Sequence, residues 1–85
     1  MTIVVLTEGN RGELKYRIFA NDHQPAHVHV IYKNREKEAR ITLDGMLLTN
    51  SGFSRREIKY FISRILQHNE DFQEVWNELE EIQKN

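Results

Sequence analysis

The sequence predicts a small α+β domain, an antiparallel sheet of three to five strands followed by two α-helices packed on one of its faces. Three observations carry that prediction. Apolar residues alternate with polar ones through the first half, the period of a half-buried strand. From residue 54 onward they recur at three and four, the period of an amphipathic helix. The chain has 85 residues, room for one core and no second, so the organisation is a single domain over 1–85, strand-rich at 1–49 and helical at 53–84.

Each element has its own signal. Ile3 to Leu6 is a short β-branched run, and Glu8-Gly9-Asn10-Arg11-Gly12 supplies turn chemistry, since both glycines tolerate positive φ. In strand two Leu14, Tyr16 and Ile18 share one face, Lys15 and Arg17 the other. Asn21 to Pro25 is a connection, because proline has no N–H for a ladder. His27 to Tyr32 and Lys37 to Leu43 form strands three and four around a two-residue turn at Asn34-Arg35. Asp44-Gly45 turns the chain again, Met46-Leu47-Leu48 adds a short strand, and Asn50-Ser51-Gly52 separates the halves.

Ser54 followed by Glu57 is a capping box, opening a helix with Ile58, Phe61, Ile62, Ile65 and Leu66 on one side. Asp71 with Glu74 repeats the signal before Phe72, Val75, Trp76, Leu79 and Ile82. The stripes read first as core, with Trp76 a candidate interface anchor. On the sheet, Leu14, Tyr16, Ile18, Val28, Val30, Ala39 and Ile41 face the helices. The other face is solvated or covered by a second subunit, and a homodimer would supplement so small a core.

Composition narrows the chemistry. With no cysteine, disulfides, thiolate metal sites and cysteine nucleophiles are excluded. The longest early apolar run is too short for a signal peptide or a membrane span, so a cytoplasmic location is expected. Net charge is −1 but segregated. Residues 1–69 hold eleven Lys or Arg against seven Asp or Glu, and residues 70–85 hold one lysine against six acids. The first part attracts phosphate or an acidic partner, and the tail repels nucleic acid. Arg55, Arg56 and Lys59 make a basic helix start, ordinarily a solvated face, with phosphate or acidic-partner contact as the sharper reading.

The chemistry concentrates in Asp22-His23-Gln24-Pro25-Ala26-His27-Val28-His29. Strand parity puts His27 and His29 together, opposite in direction to Val28 and Val30. Counting back from the Asn34-Arg35 turn sets His29 against Arg40 and His27 against Thr42; a one-residue slip would break these pairs. Lys15 and Arg17 join this face if strand two lies alongside.

Three chemistries fit. His27 and His29, with His23 or Asp22, are a candidate set for Zn²⁺, Ni²⁺ or Fe²⁺. Arg40 and Arg17 oppose a cation there unless a carboxylate intervenes. Alternatively, His27, His29 and His23 exchange protons on a phosphodiester, with Arg40 clamping the anion and Asp22 orienting His23. The same surface would serve for nucleic-acid binding without turnover. The third reading is structural: Asp22 caps the loop, His23 bonds to backbone, and His27 and His29 are sheet residues or lie in an interface.

The segment from Asp22 to Val30 resembles the uncharacterised bacterial family known as domain of unknown function 4160. In that family a strand runs into Asp-His-x-Pro-Pro-His-Phe-His-Val, then a polar hairpin, an Ala-x-Ile strand, an acid-Gly turn and a helix pair with a late tryptophan. Tyr16 to Ala20, Lys33 to Lys37, Ala39-Arg40-Ile41, Asp44-Gly45 and Trp76 match those features. Ala26 stands where the second proline is usual, and Val28 where phenylalanine is usual. The resemblance implies a short protein often encoded beside another small protein in toxin–antitoxin-like pairs, hence a nearby-encoded protein partner and an RNA-linked role. The expectation is a binding component of such a pair, using the His/Arg surface for protein or nucleic acid. A metal-dependent or His-centred ribonuclease is one alternative, and a metal-binding protein without catalysis is another.

Overall fold

A computed structural model describes residues 2–20 and 24–83. Five strands form an antiparallel meander in sequence order: β1 (Thr2–Glu8), β2 (Leu14–Phe19), β3 (His27–Tyr32), β4 (Lys37–Thr42) and β5 (Leu47–Ser51). Two helices follow, α1 (Arg55–Gln67) and α2 (Asn69–Gln83), packed on the sheet. The α+β architecture is as the periodicity predicts, at the upper end of the strand count. No described helix is long and apolar enough to cross a membrane.

The β3–β4 register also agrees with the count from the turn: His29 pairs with Arg40 and His27 with Thr42. The turn itself differs. The ladder stops at Tyr32 and Lys37, leaving a four-residue loop in which Lys33 and Arg35 both take positive φ (53° and 66°). The Glu36 N–H closes the loop by donating to the Tyr32 carbonyl at 3.1 Å. Widening a hairpin by one residue on each side leaves its register unchanged.

Some boundaries move: β1 takes in Glu8, expected in the turn, and β4 stops at Thr42 rather than Leu43. Asn50 and Ser51 belong to β5 rather than to a separator; the Asn50 side chain bonds both the N–H and the carbonyl of Phe53, so the turn follows the strand. Strand content therefore extends past residue 49. The helices are separated by His68 alone, which caps α1. Because the His68 carbonyl already accepts from Phe72 N–H, α2 starts at Asn69, and Asp71 and Glu74 lie inside it instead of forming a second capping box. The first box is present in full: Ser54 Oγ accepts from Glu57 N–H, and the Glu57 carboxylate accepts from Ser54 N–H.

The core lies between the helices and one sheet face. Tyr16, Ile18, Val28, Val30, Ala39 and Ile41 are wholly buried there against Phe61, Ile65, Phe72, Trp76 and Leu79. Trp76 is therefore a core residue. Leu14 is half-buried, and Leu66 and Ile82, assigned to the apolar stripes by spacing, are exposed at the margins. Tyr16 meets both helices, edge-on to Phe61 at 6.0 Å and tilted against Phe72 at 6.2 Å.

The Tyr16 hydroxyl ends in a small polar knot that sequence periodicity does not announce. It donates to Glu8 Oε1 at 2.8 Å, while Tyr60 Oη and Arg64 Nε donate to Glu8 Oε2 at 2.9 and 2.7 Å. One carboxylate thus ties β1 to β2 and α1. Burial pushes the Glu8 carboxyl up, but the hydrogen bonds from Tyr16, Arg64 and Tyr60 outweigh burial and hold it below the ordinary glutamate value. Burial and then the bond to Glu8 push the Tyr16 hydroxyl up, so it remains a donor throughout the physiological range.

A group whose folded value is depressed stabilises the fold above its unfolded value, and that contribution is lost as pH falls through the folded value. Glu8→Gln is expected to cost about 1–3 kcal/mol near neutrality, with the gap to wild type closing on acidification. Urea midpoints of both proteins, taken from neutral pH into the acid range, check this. A gap of constant size would contradict it.

Candidate functional site on the helix-free sheet face

The pleat sends alternate residues of the three middle strands away from the helices: Lys15, Arg17 and Phe19 from β2, His27, His29 and Ile31 from β3, and Glu38, Arg40 and Thr42 from β4. The expected His27, His29, Arg40 and Thr42 face exists, with Lys15 and Arg17 beside it. It is not simply solvated. His27 and His29 are only 7% and 5% exposed, and Ile31 is 4% exposed. Specific neighbours cover the histidines: Phe19 of β2 and Glu38 of β4 lie against His29, and Trp76 of α2 against His27.

Each histidine is fixed through Nδ1. The His27 Nδ1–H donates to the Pro25 carbonyl at 2.8 Å. A carbonyl only accepts, so the proton must lie on Nδ1. The His29 Nδ1–H donates to the Glu38 carboxylate, also at 2.8 Å. In the neutral form both rings therefore carry the lone pair on Nε2, the nitrogen that would bind a metal or accept a proton. The two rings lie 5.0 Å apart between centroids. Phe19 packs 4.4 Å from His29, and Trp76 reaches the end of the sheet at 6.0 Å from His27.

Arg40 is exposed, and Glu38 rather than Arg40 takes the Nδ1 of His29. The carboxylate required to offset a guanidinium beside an imidazole pair is thus present. Glu38 is the site residue that the initial motif reading passed over. It lies outside the Asp22–His29 segment, but the parity that places Arg40 and Thr42 on this face also places Glu38 there. At the far end of β4, Thr42 donates its hydroxyl to Asp44 and accepts from Met46 N–H. It is the last residue of β4, buried, and its hydroxyl anchors the turn that follows.

Asp22 and His23, the other proposed metal or catalytic residues, lie outside the described residues. Among the described residues no three His, Asp or Glu side chains gather as a metal-ligand group. Arg55, Arg56 and Lys59 are exposed on α1, away from the histidine pair in sequence and on the helical side.

Residues 14–77 match the family described as domain of unknown function (DUF4160). The chain belongs to this family. The DUF4160 match starts at the first residue of β2 and ends one residue beyond Trp76, so it includes His27, His29, Glu38 and Arg40 and leaves out β1. No curated protein and no solved structure matches the chain.

The Glu38–His29 contact has a spectroscopic consequence. Two-bond ¹H–¹⁵N correlations of the imidazoles are expected to show both rings protonated on Nδ1. Glu38→Ala should convert His29 toward the other tautomer while His27, held by a backbone carbonyl, keeps its pattern. A His29 ring unaffected by loss of the carboxylate would show that Glu38 does not fix it.

Proposed function

We propose that this protein is a binding module that holds nucleic acid, RNA foremost, on the helix-free sheet face, as the RNA-facing member of a two-protein, toxin–antitoxin-like pair. The observation that carries the reading is the charge of that face. The outward positions of β2, β3 and β4 hold three cations, Lys15, Arg17 and Arg40, and one carboxylate, Glu38, already engaged by His29. The β3–β4 loop adds Lys33 and Arg35 against the single acid Glu36. The exposed side of α2 is the reverse, with Glu70, Glu74, Glu78 and Glu81. A polyanion approaching this molecule is drawn to one side and repelled from the other.

Burial of the histidines supports binding over turnover. An imidazole acting on a phosphodiester must come within hydrogen-bond reach of the reacting oxygen, and His27 and His29 are covered by their neighbours, while Arg40 stands exposed. The histidine pair organises the middle of the surface, and the surrounding cations make the contacts.

Fluorescence anisotropy with a single-stranded RNA tests the reading. Affinity should fall steeply with salt, and Arg40→Gln or Lys15→Gln should each flatten the log–log slope by about 0.7, the value per phosphate contact on a single strand. The RNA should be recovered intact. No binding at low salt, or slopes indifferent to both substitutions, would overturn the proposal.

A second reading has an observation of its own. Metal-binding histidines characteristically donate the distal ring N–H to a carboxylate or backbone carbonyl, which is how His29 and His27 are held. Two imidazoles are half of a four-ligand zinc shell, and Asp22 and His23 are the nearest chain positions for the rest. Titration of Zn²⁺ and Ni²⁺ into metal-free protein should then move the Nε2 resonances of His27 and His29 stoichiometrically, and His29→Ala should abolish the effect. Unmoved resonances would remove this reading for those ions.

A further inference from the structure

The sheet ends at β5 in an open edge. β4 pairs with one side of this strand, no described strand pairs with the other, and all five residues from Leu47 to Ser51 are exposed. The row of backbone N–H and C=O groups along such an edge is a template for another strand, and native sheets ordinarily blunt it with lysine, proline or a bulge. In a chain that is 29% charged, no charged residue and no proline lies between Asp44 and Arg55. One bulge is present, at Leu48, between the pairs Ile41–Leu47 and Arg40–Thr49. Beyond it Thr49, Asn50 and Ser51 run in regular register. The opposite edge is less open: the register of β1 breaks in mid-strand between Val4 and Leu6, and Ile3, Val5 and Leu6 pack on the core.

Exposed apolar surface gathers beside the same edge. Seven large hydrophobic side chains are exposed among the described residues, and Met46, Leu47, Leu48 and Leu66 are four of them. Leu66 joins the patch because Gly45, in the turn before β5, lies against it and Ile62: a methyl group on Gly45 would meet Leu66 at 3.6 Å and Ile62 at 3.2 Å. A contiguous patch of this kind marks an interaction site.

We infer that β5 is a dimer interface, pairing antiparallel with β5 of a second copy across a two-fold axis near Thr49. The chemistry of the strand favours its own copy. With no charge along it, two copies meet without the like-charge repulsion that ordinarily keeps edges apart. Pairing of β5 with itself also closes, whereas pairing of β5 with β1 of the next copy would propagate without end. An axis at Thr49 sets the two Thr49 side chains opposite each other, a favourable cross-strand pair, and Leu47 opposite Ser51. The axis stands perpendicular to the sheet, so the helix-free faces of both copies form one continuous surface. Arg40 is the β4 partner of Thr49, which puts the two Arg40 residues three strand spacings apart, roughly 14 Å. The use of that surface rests on the RNA reading; the interface does not.

Sedimentation of the full chain from low to high micromolar concentration tests the interface. Association to a dimer and no further is expected. Thr49→Lys sets two ammonium groups face to face and should weaken the dimer about tenfold, with the amide spectrum checked for an intact fold. Because the chain has no cysteine, Thr49→Cys reports the contact directly. Residues directly opposite in an antiparallel pair stand about 4.5–5.5 Å apart, within disulfide reach, so mild oxidation should link this variant as a dimer. Ser63→Cys, exposed on α1, should link far more slowly.

A dimer indifferent to Thr49→Lys, or equal cross-linking at both cysteine positions, would overturn the proposal. A chain that stays monomeric would overturn it too and leave the edge to a strand from a different protein. The RNA experiment separates the two readings. A β5-linked dimer that binds no RNA keeps the interface and removes the nucleic-acid reading, and a monomer that binds RNA does the reverse.

Discussion

The middle position of β3 is the constraint from which the rest of the molecule follows. β3 lies at the centre of the sheet, where other elements pack over both of its faces, and five of its six residues are buried. On the helical side this suits Val28 and Val30. On the other it forces two imidazoles into a poorly hydrated place, where each needs a fixed acceptor. Pro25 and Glu38 supply those acceptors, and in doing so they choose the tautomer. The chemical character of His27 and His29 is thus a consequence of topology as much as of residue type.

That division between local and distant causes explains what could be read from the residues alone. The alternation in β2, β3 and β4 needs only nearest neighbours in sequence, and it placed Tyr16, Ile18, Val28, Val30, Ala39 and Ile41 against the helices. The register of His29 with Arg40 followed by counting, and it survived a misjudged loop because a hairpin widened equally on both sides keeps its pairing. Burial of the histidines was not legible, since it depends on Phe19, Glu38 and Trp76 converging from three other elements. Nor was the knot at Glu8, whose partners Tyr60 and Arg64 stand 52 and 56 residues away. The start of α2 was misplaced because Asp71-Phe72-Gln73-Glu74 resembles a cap, whereas the His68 carbonyl had already opened the helix.

Charge in this molecule is arranged rather than balanced. A formal sum of −1 comes from a cationic sheet face and an acidic α2, each largely of one sign. Such an arrangement contributes little to stability, because exposed like charges repel weakly and are screened. Its effect is on orientation: a polyanion is drawn to the sheet face and a polycation to α2.

The limits of the DUF4160 match and the limits of the packed core are different things. The match opens at Leu14 and closes at Asn77, yet Leu79 is buried beyond one end, and Ile3, Val5 and Leu6 pack on the core beyond the other. A chain trimmed to the matched segment would lose Glu8 and leave the hydroxyl of Tyr16, a side chain that meets both helices, with its acceptor gone. Its sheet would also gain a raw edge at β2, open to any strand that came by. The unit of kinship in this protein is therefore smaller than the unit of folding, and the flanks outside the match hold the matched part together.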